Sequence, residues 1–138
     1  MMPAGPAASD TQRLLAEEGT LAIAPPPPDS KAGTEATAKI TVTPTADYHV
    51  NTEFPIKLVL DPTANVTFAK SELHAGGMKK DVGDAEALDE RQLVFAVKLT
   101  PSQSGTYTIN GTFKFAVCKG EQSCYPKKER IAIQVAAK

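Results

Sequence analysis

Residues 105–137, GTYTINGTFKFAVCKGEQSCYPKKERIAIQVAA, hold both cysteines of the chain, Cys118 and Cys124, inside runs of alternating apolar and polar positions. Alternation with a period of two, carried by β-branched and aromatic residues, marks strands with one face against a core. The part GTYTINGTFKFAVC (105–118) reads as two strands joined at Asn110-Gly111, the dipeptide preferred in two-residue type I′ turns. In ERIAIQVAA (129–137), Ile131, Ile133 and Val135 share one face, and this strand is expected to pair with the one ending at Cys118. KGEQS (119–123) is then the hairpin loop, and the two sulfurs can face each other across the strand pair.

The same alternation extends upstream. AKITVTP (38–44) sets Ile40 and Val42 on one face, FPIKLVLDP (54–62) sets Ile56, Leu58 and Leu60, and NVTFAKSEL (65–73) continues with Val66 and Phe68. RQLVFAVKLTP (91–101) supplies Leu93, Phe95, Val97 and Leu99. About seven short strands over roughly 100 residues, punctuated by Pro, Asp and Gly, predict an all-β, immunoglobulin-like antiparallel β-sandwich. HAGGMKKDVGDAEALDE (74–90) interrupts the strands with glycine and charge and reads as a long loop. Residues 1–36 are rich in Ala, Pro, Gly, Ser and Thr and read as a flexible tether, with the globular domain at 37–138. Two alternatives stay open within that tail: a short helix in DTQRLLAEEG (10–19), and a strand in GTLAIAP (19–25) docked on the edge of the domain.

The chain has 138 residues, a formal net charge of -1 from 15 basic and 16 acidic residues, and a hydrophobic content of 41%. That is one modest core, and the balance of charge argues against nucleic acid as a partner. No stretch approaches the roughly 20 apolar residues that span a bilayer, and MMPAGPAASDTQRLL lacks the basic and apolar regions of a signal peptide. A monomer without a membrane span is expected.

The cysteine pair admits two readings, a structural staple or a redox centre. Closing so short a loop contributes only about 2 to 2.5 kcal/mol by chain entropy, less than a link between distant strands would. Lys119, Lys127 and Lys128 raise the local positive potential and favour a thiolate, Glu121 opposes them, and Gly120 leaves the loop supple. Pro126 fixes the chain beyond Cys124, and Tyr125 can lay its ring beside the sulfur. The C-x₂-C spacing of zinc ribbons and thioredoxins is absent.

The motif C-x₅-C-Y-P at the end of a late strand, followed by KKERIAIQV, resembles the N-terminal periplasmic domain of the DsbD-type thiol:disulfide interchange proteins. PTADYHVNTEFPIKLVL (44–60) is similar to that family's early segment, where an aromatic residue, a His and an Asn precede the second strand. The resemblance covers about residues 36–136. It implies a periplasmic or otherwise exported domain whose Cys118/Cys124 pair shuttles between dithiol and disulfide without a cofactor. Electrons would come from a membrane-linked thioredoxin-like donor and pass to periplasmic thiol-disulfide proteins. Cys124 would be the exposed sulfur that forms the mixed disulfide, and Cys118 the resolving partner. Family members shield the pair with an aromatic cap loop; the matching stretch here has no aromatic residue, leaving Met78, Val82 or Leu88 to cover the sulfurs.

Other candidates weigh less. His49 and His74, with Met78, lack the short spacing of a copper or zinc site and read as surface or turn residues. Asp81, Asp84, Glu86, Asp89 and Glu90 read as a solvated acidic loop, although an acid beside the cysteines can carry protons during exchange. Asn65 and Asn110 each begin a glycosylation acceptor pattern too common to carry weight. The rival to exchange is a non-enzymatic immunoglobulin-like binding or scaffold module.

Overall fold

The computed structural model describes residues 13–78, 82–121 and 123–138. Ten strands follow in order: β1 (Gly19–Ala24), β2 (Ala36–Pro44), β3 (Tyr48–Val50), β4 (Pro55–Leu60), β5 (Val66–Phe68), β6 (Glu72–Gly76), β7 (Ala87–Asp89), β8 (Gln92–Pro101), β9 (Gly105–Lys119) and β10 (Ser123–Ala137). They form two five-stranded antiparallel sheets. One runs β1-β2-β8-β5 with β7 also on β8; the other runs β10-β9-β4-β6 with β3 also on β9. The fold is an immunoglobulin-like β-sandwich, as the alternation implies. The described residues include no helix long and apolar enough to cross a membrane.

The inward positions are those the period-two pattern selects. Ile40, Phe95, Val97 and Leu99 of the first sheet meet Ile56, Leu58, Phe113, Phe115 and Ile133 of the second, all at most 1% exposed. Phe113 lies edge-on to Phe95, with ring centroids 5.6 Å apart, and packs on Phe115 at 4.8 Å. Each such ring contributes about 2 to 3 kcal/mol by leaving water, so β9 is fixed from beneath along its middle third. The stretch NVTFAKSEL is not one strand. It crosses between sheets at residues 69–71, where Ala69 N–H donates to Lys98 and Leu60 N–H donates to Ser71.

Two further expectations need correction. Asn110-Gly111 is no turn: β9 runs straight through it, pairing Asn110 with Ala132, and Gly111 with both Ile131 and Leu60. A β-carbon on Gly111 would lie 2.7 Å from the Val59 carbonyl, so the glycine serves the close approach of β4. The left-handed asparagine of the chain is instead Asn65, at φ 67°.

The second correction concerns residues 1–36, which do not form a tether throughout. Residues 1–12 lie outside those described. Gly19–Ala24 is the docked edge strand β1, paired with β2, and residues 16–18 form a turn, with 13–15 irregular, in place of the helix considered there. The reason is charge burial: Lys127 and Glu129 of β10 point inward at 8% and 5% exposure and find partners in this segment. The Lys127 ammonium meets the Glu18 carboxylate at 2.6 Å and the Arg13 carbonyl at 3.3 Å, while Leu14 N–H donates to Glu129 at 2.6 Å. Buried charges without such partners would cost several kcal/mol each.

These placements separate the roles of the dipeptide. Gly111→Ala is expected to destabilise the chain by about 1 to 3 kcal/mol through the clash with β4, whereas Asn110→Thr changes stability by less than about 0.5 kcal/mol. Urea unfolding of both variants checks this; equal losses would return the pair to a turn.

Candidate functional site

Side chains alternate along β9, and its odd-numbered residues Phe113, Phe115 and Val117 face the core. Cys118 therefore lies on the outer face of its sheet. Register places Cys124 of β10 directly opposite on one side and His49 of β3 opposite on the other, giving a row His49, Cys118, Cys124 across three strands. The cysteines form a disulfide with an S–S distance of 2.08 Å and a Cα–Cα distance of 4.0 Å. They differ in access: Cys118 is 3% exposed, whereas Cys124 is an exposed residue. Asn51, just past β3, donates its backbone N–H to Ala116 and brings its side-chain amide nitrogen to 3.9 Å from Cys124 Sγ.

A cleft of about 430 Å³ opens over the pair. Its walls are His49, Asn51, Glu53, Glu90 and Glu121, with Gly120 at the loop. Glu90 is held there because its carbonyl accepts the Val50 N–H. Glu90 is thus the member of the acidic stretch that lines the cleft over the sulfurs. The others are engaged elsewhere: Glu86 with Lys39 at 2.9 Å, Asp84 with Lys70 at 2.7 Å, and Asp89 with the backbone of Arg91 and Gln92. Asp81 lies outside the described residues.

None of the three residues expected to shield the disulfide lines this cleft. Met78 is 95% exposed, Val82 is 43% exposed, and Leu88 belongs to β7 in the other sheet, against the core. Nor do the lysines surround the sulfurs as the linear sequence suggests. An odd spacing along a strand puts side chains on opposite faces, so Lys119 and Lys127 turn away from Cys118 and Cys124. Lys119 lies 6.0 Å from the centre of the Tyr48 ring and Lys127 lies 5.8 Å from that of Tyr125. The two tyrosines pack together at 6.3 Å, so the Tyr125 ring belongs to the opposite face from the sulfurs. Burial raises the Tyr48 phenol above its ordinary range, and Glu17 and Glu18 push it further. With glutamates near the sulfurs and two of the three lysines turned away, the surroundings of Cys124 offer less cationic support for a thiolate than the linear sequence implies.

His74 stands apart from His49, on β6, its ring 2.8 Å from Glu72. That contact, followed by Lys57, holds the Glu72 carboxyl below its ordinary range. The Asp84 carboxyl is likewise lowered, first by Lys70 and then by the His74 backbone N–H. Sequence reasoning missed His49 as a neighbour of Cys118, because the pairing of β3 with β9 joins residues some 70 positions apart.

The facing of Lys127 is testable. Lys127→Met leaves Glu18 buried without its cation and is expected to cost about 3 kcal/mol in urea unfolding. Alkylation of reduced Cys124 by iodoacetamide should stay within about twofold of the parent rate; a drop of about tenfold would put the ammonium at the sulfur.

Comparison with known proteins adds independent findings. No curated protein matches the chain. Among solved structures, it is similar to a cohesin module from a Clostridium perfringens ATCC13124 family 33 glycoside hydrolase, with 11% identity, a TM-score of 0.47, and coverage of 88% of this chain and 99% of that one. A CARDB domain from Pyrococcus furiosus, in complex with di-metal ions, has 16% identity, a TM-score of 0.42, and coverage of 91% and 100%. The family "Thiol:disulfide interchange protein DsbD, N-terminal" matches residues 12–136, which take in β1 to β9, all but the last residue of β10, and the disulfide. The chain belongs to that DsbD N-terminal family.

Proposed function

We propose that the chain is a periplasmic thiol:disulfide exchange module, acting as a monomer between thioredoxin-like proteins through Cys118 and Cys124. In the accepting direction, a partner thiolate attacks Cys124 Sγ, the bond between the cysteines breaks, and its electron pair leaves on Cys118. A second partner thiolate then attacks the partner sulfur of the mixed disulfide and releases Cys124. The partner is oxidised to a disulfide and the chain reduced to the dithiol. Delivery to the next protein reverses these steps, with Cys124 as nucleophile and Cys118 resolving.

One observation carries the proposal: the exposed cysteine belongs to a bond at the very end of a long strand ladder. Cys118 and Cys124 sit at one end of a ladder in which β9 and β10 pair through fifteen consecutive positions, from Ser123 with Lys119 to Ala137 with Gly105. Opening the bond leaves that register in place. Asn51 supports the same reading, since its amide can donate to a thiolate at Cys124. Membership of the DsbD N-terminal family supports exchange as the chemistry and the periplasm as the compartment. The second reading, a scaffold with a structural staple, draws on the burial of Cys118 at 3%.

Redox titration against glutathione distinguishes the two. Exchange requires a potential between about -300 and -200 mV, in the range of thioredoxins and glutaredoxins; a value far below about -300 mV belongs to a staple. Reduced Cys118→Ser, with Cys124 free, should displace thionitrobenzoate from a single-cysteine thioredoxin activated as its thionitrobenzoate mixed disulfide, forming the protein–thioredoxin disulfide at least about tenfold faster than reduced Cys124→Ser. The opposite order would reverse the roles of the two sulfurs.

A further inference from the structure

The outer face that carries the disulfide also carries a row of cations. Register pairs Lys57 of β4 with Lys114 of β9, and Lys114 with Lys128 of β10, so three lysines stand side by side on adjacent strands. His74 of β6 continues the row beyond Lys57. Like charges directly opposite each other in a sheet destabilise it, and the chain as a whole has no basic surplus, with a net charge of -1. Part of the cost is relieved at one end, where Glu72 lies 3.5 Å from Lys57 and 2.8 Å from His74. Among the described residues, no carboxylate forms an ion pair with Lys114 or Lys128. The three lysines, with Val59 and Thr112, line a cleft of about 240 Å³.

The spacing between this row and the sulfurs is set by the strands. Lys114 precedes Cys118 by four residues and Lys128 follows Cys124 by four, with Ala116 and Pro126 paired between them. At about 3.3 Å per residue, the lysines lie roughly 13 Å from the disulfide on the same face. The opposite end of this face is acidic, with Glu53, Glu90 and Glu121 around the sulfurs. A docking protein therefore meets negative charge at the bond and positive charge roughly 13 Å below it.

From this charge complementarity we propose that the Lys57, Lys114 and Lys128 row is a docking surface for the protein redox partner. The partner it fits has acidic residues roughly 13 Å from its reactive cysteine, on the side that overlies β4, β9 and β10. This deepens the exchange function by fixing which way round the partner lies. Partners with basic or neutral surfaces at that distance gain no steering and leave Lys114 and Lys128 without counter-charges.

The experiment uses Cys124 as a chemical handle, so it reads out whether or not the native pair turns over. Reduced Cys118→Ser protein is mixed with peptides whose single cysteine is activated as a mixed disulfide with thionitrobenzoate. Attack by the Cys124 thiolate forms a protein–peptide disulfide and releases coloured thionitrobenzoate, balancing the step. One peptide carries three glutamates beyond a three-residue spacer, about 13 Å when extended, and the other carries three glutamines there. Rates are normalised to the reaction with uncharged hydroxyethyl disulfide, and the series is repeated on reduced wild-type chain.

The glutamate peptide should react about tenfold faster at low salt, with the advantage vanishing at about 0.5 M salt and in the Lys57→Gln, Lys114→Gln, Lys128→Gln triple variant. An equal rate for the two peptides, or an advantage that survives in the triple variant, overturns the proposal. Sedimentation with phosphatidylglycerol vesicles that depends on the three lysines, without a peptide preference, would also overturn it and assign the row to a membrane surface. A glutathione potential outside the exchange range, with the peptide preference intact, would remove the redox reading and leave the docking surface standing.

Discussion

The pairing of β9 with β10 is the constraint from which the site follows. Fifteen register pairs hold two fifteen-residue strands together, and the inner face of β9 is pinned by Phe113, which meets Phe95 of the other sheet and packs on Phe115. A one-residue slip would expose that whole apolar set, so the register is set by burial rather than by the sulfurs. The disulfide inherits its geometry from the ladder. The proposed exchange requires that it open without the strands losing alignment, and a register set by burial meets that requirement.

Alternation then separates structure from chemistry on the same two strands. Odd positions of β10 near the cysteines lie on the face opposite the sulfurs: Lys127 and Glu129 are buried against residues 13–18, and Tyr125, still exposed, packs on Tyr48. Even positions Cys124, Pro126 and Lys128 turn outward, with Cys118 and Lys114 beside them. Buried charge beneath secures the N-terminal segment, while the outer face keeps an exposed sulfur, an acidic rim and a lysine row.

Much of the architecture was legible in the sequence because period two and burial are the same fact in a two-sheet fold. Ile40, Leu58, Phe95, Ile133 and their neighbours are inward as their spacing implies, and the strand at 129–137 does pair with the one ending at Cys118. Asn110-Gly111 misled because a missing β-carbon serves a tight turn and a close strand approach equally well. The deciding atom, the Val59 carbonyl, lies 52 positions away in sequence. Residues 13–18 read as tether for a similar reason: their partners Lys127 and Glu129 are more than 100 positions downstream, whereas the docked strand at Gly19–Ala24 is one of the two alternatives that the sequence leaves open. The facing of Lys119 and Lys127 was readable, since odd spacing from a cysteine in a strand already puts a side chain on the other face. His49 was not, because only the tertiary pairing of β3 brings it beside Cys118.

Exchange requires a fold that relies little on its disulfide, and urea unfolding of the oxidised and dithiol forms of the same chain measures that reliance directly. A difference of about 2.5 kcal/mol or less, with one cooperative transition in each form, is the expected result for a link around so short a loop. A dithiol form that unfolds without cooperativity, or that loses about 4 to 5 kcal/mol, would show that the bond holds the sandwich together and would contradict exchange.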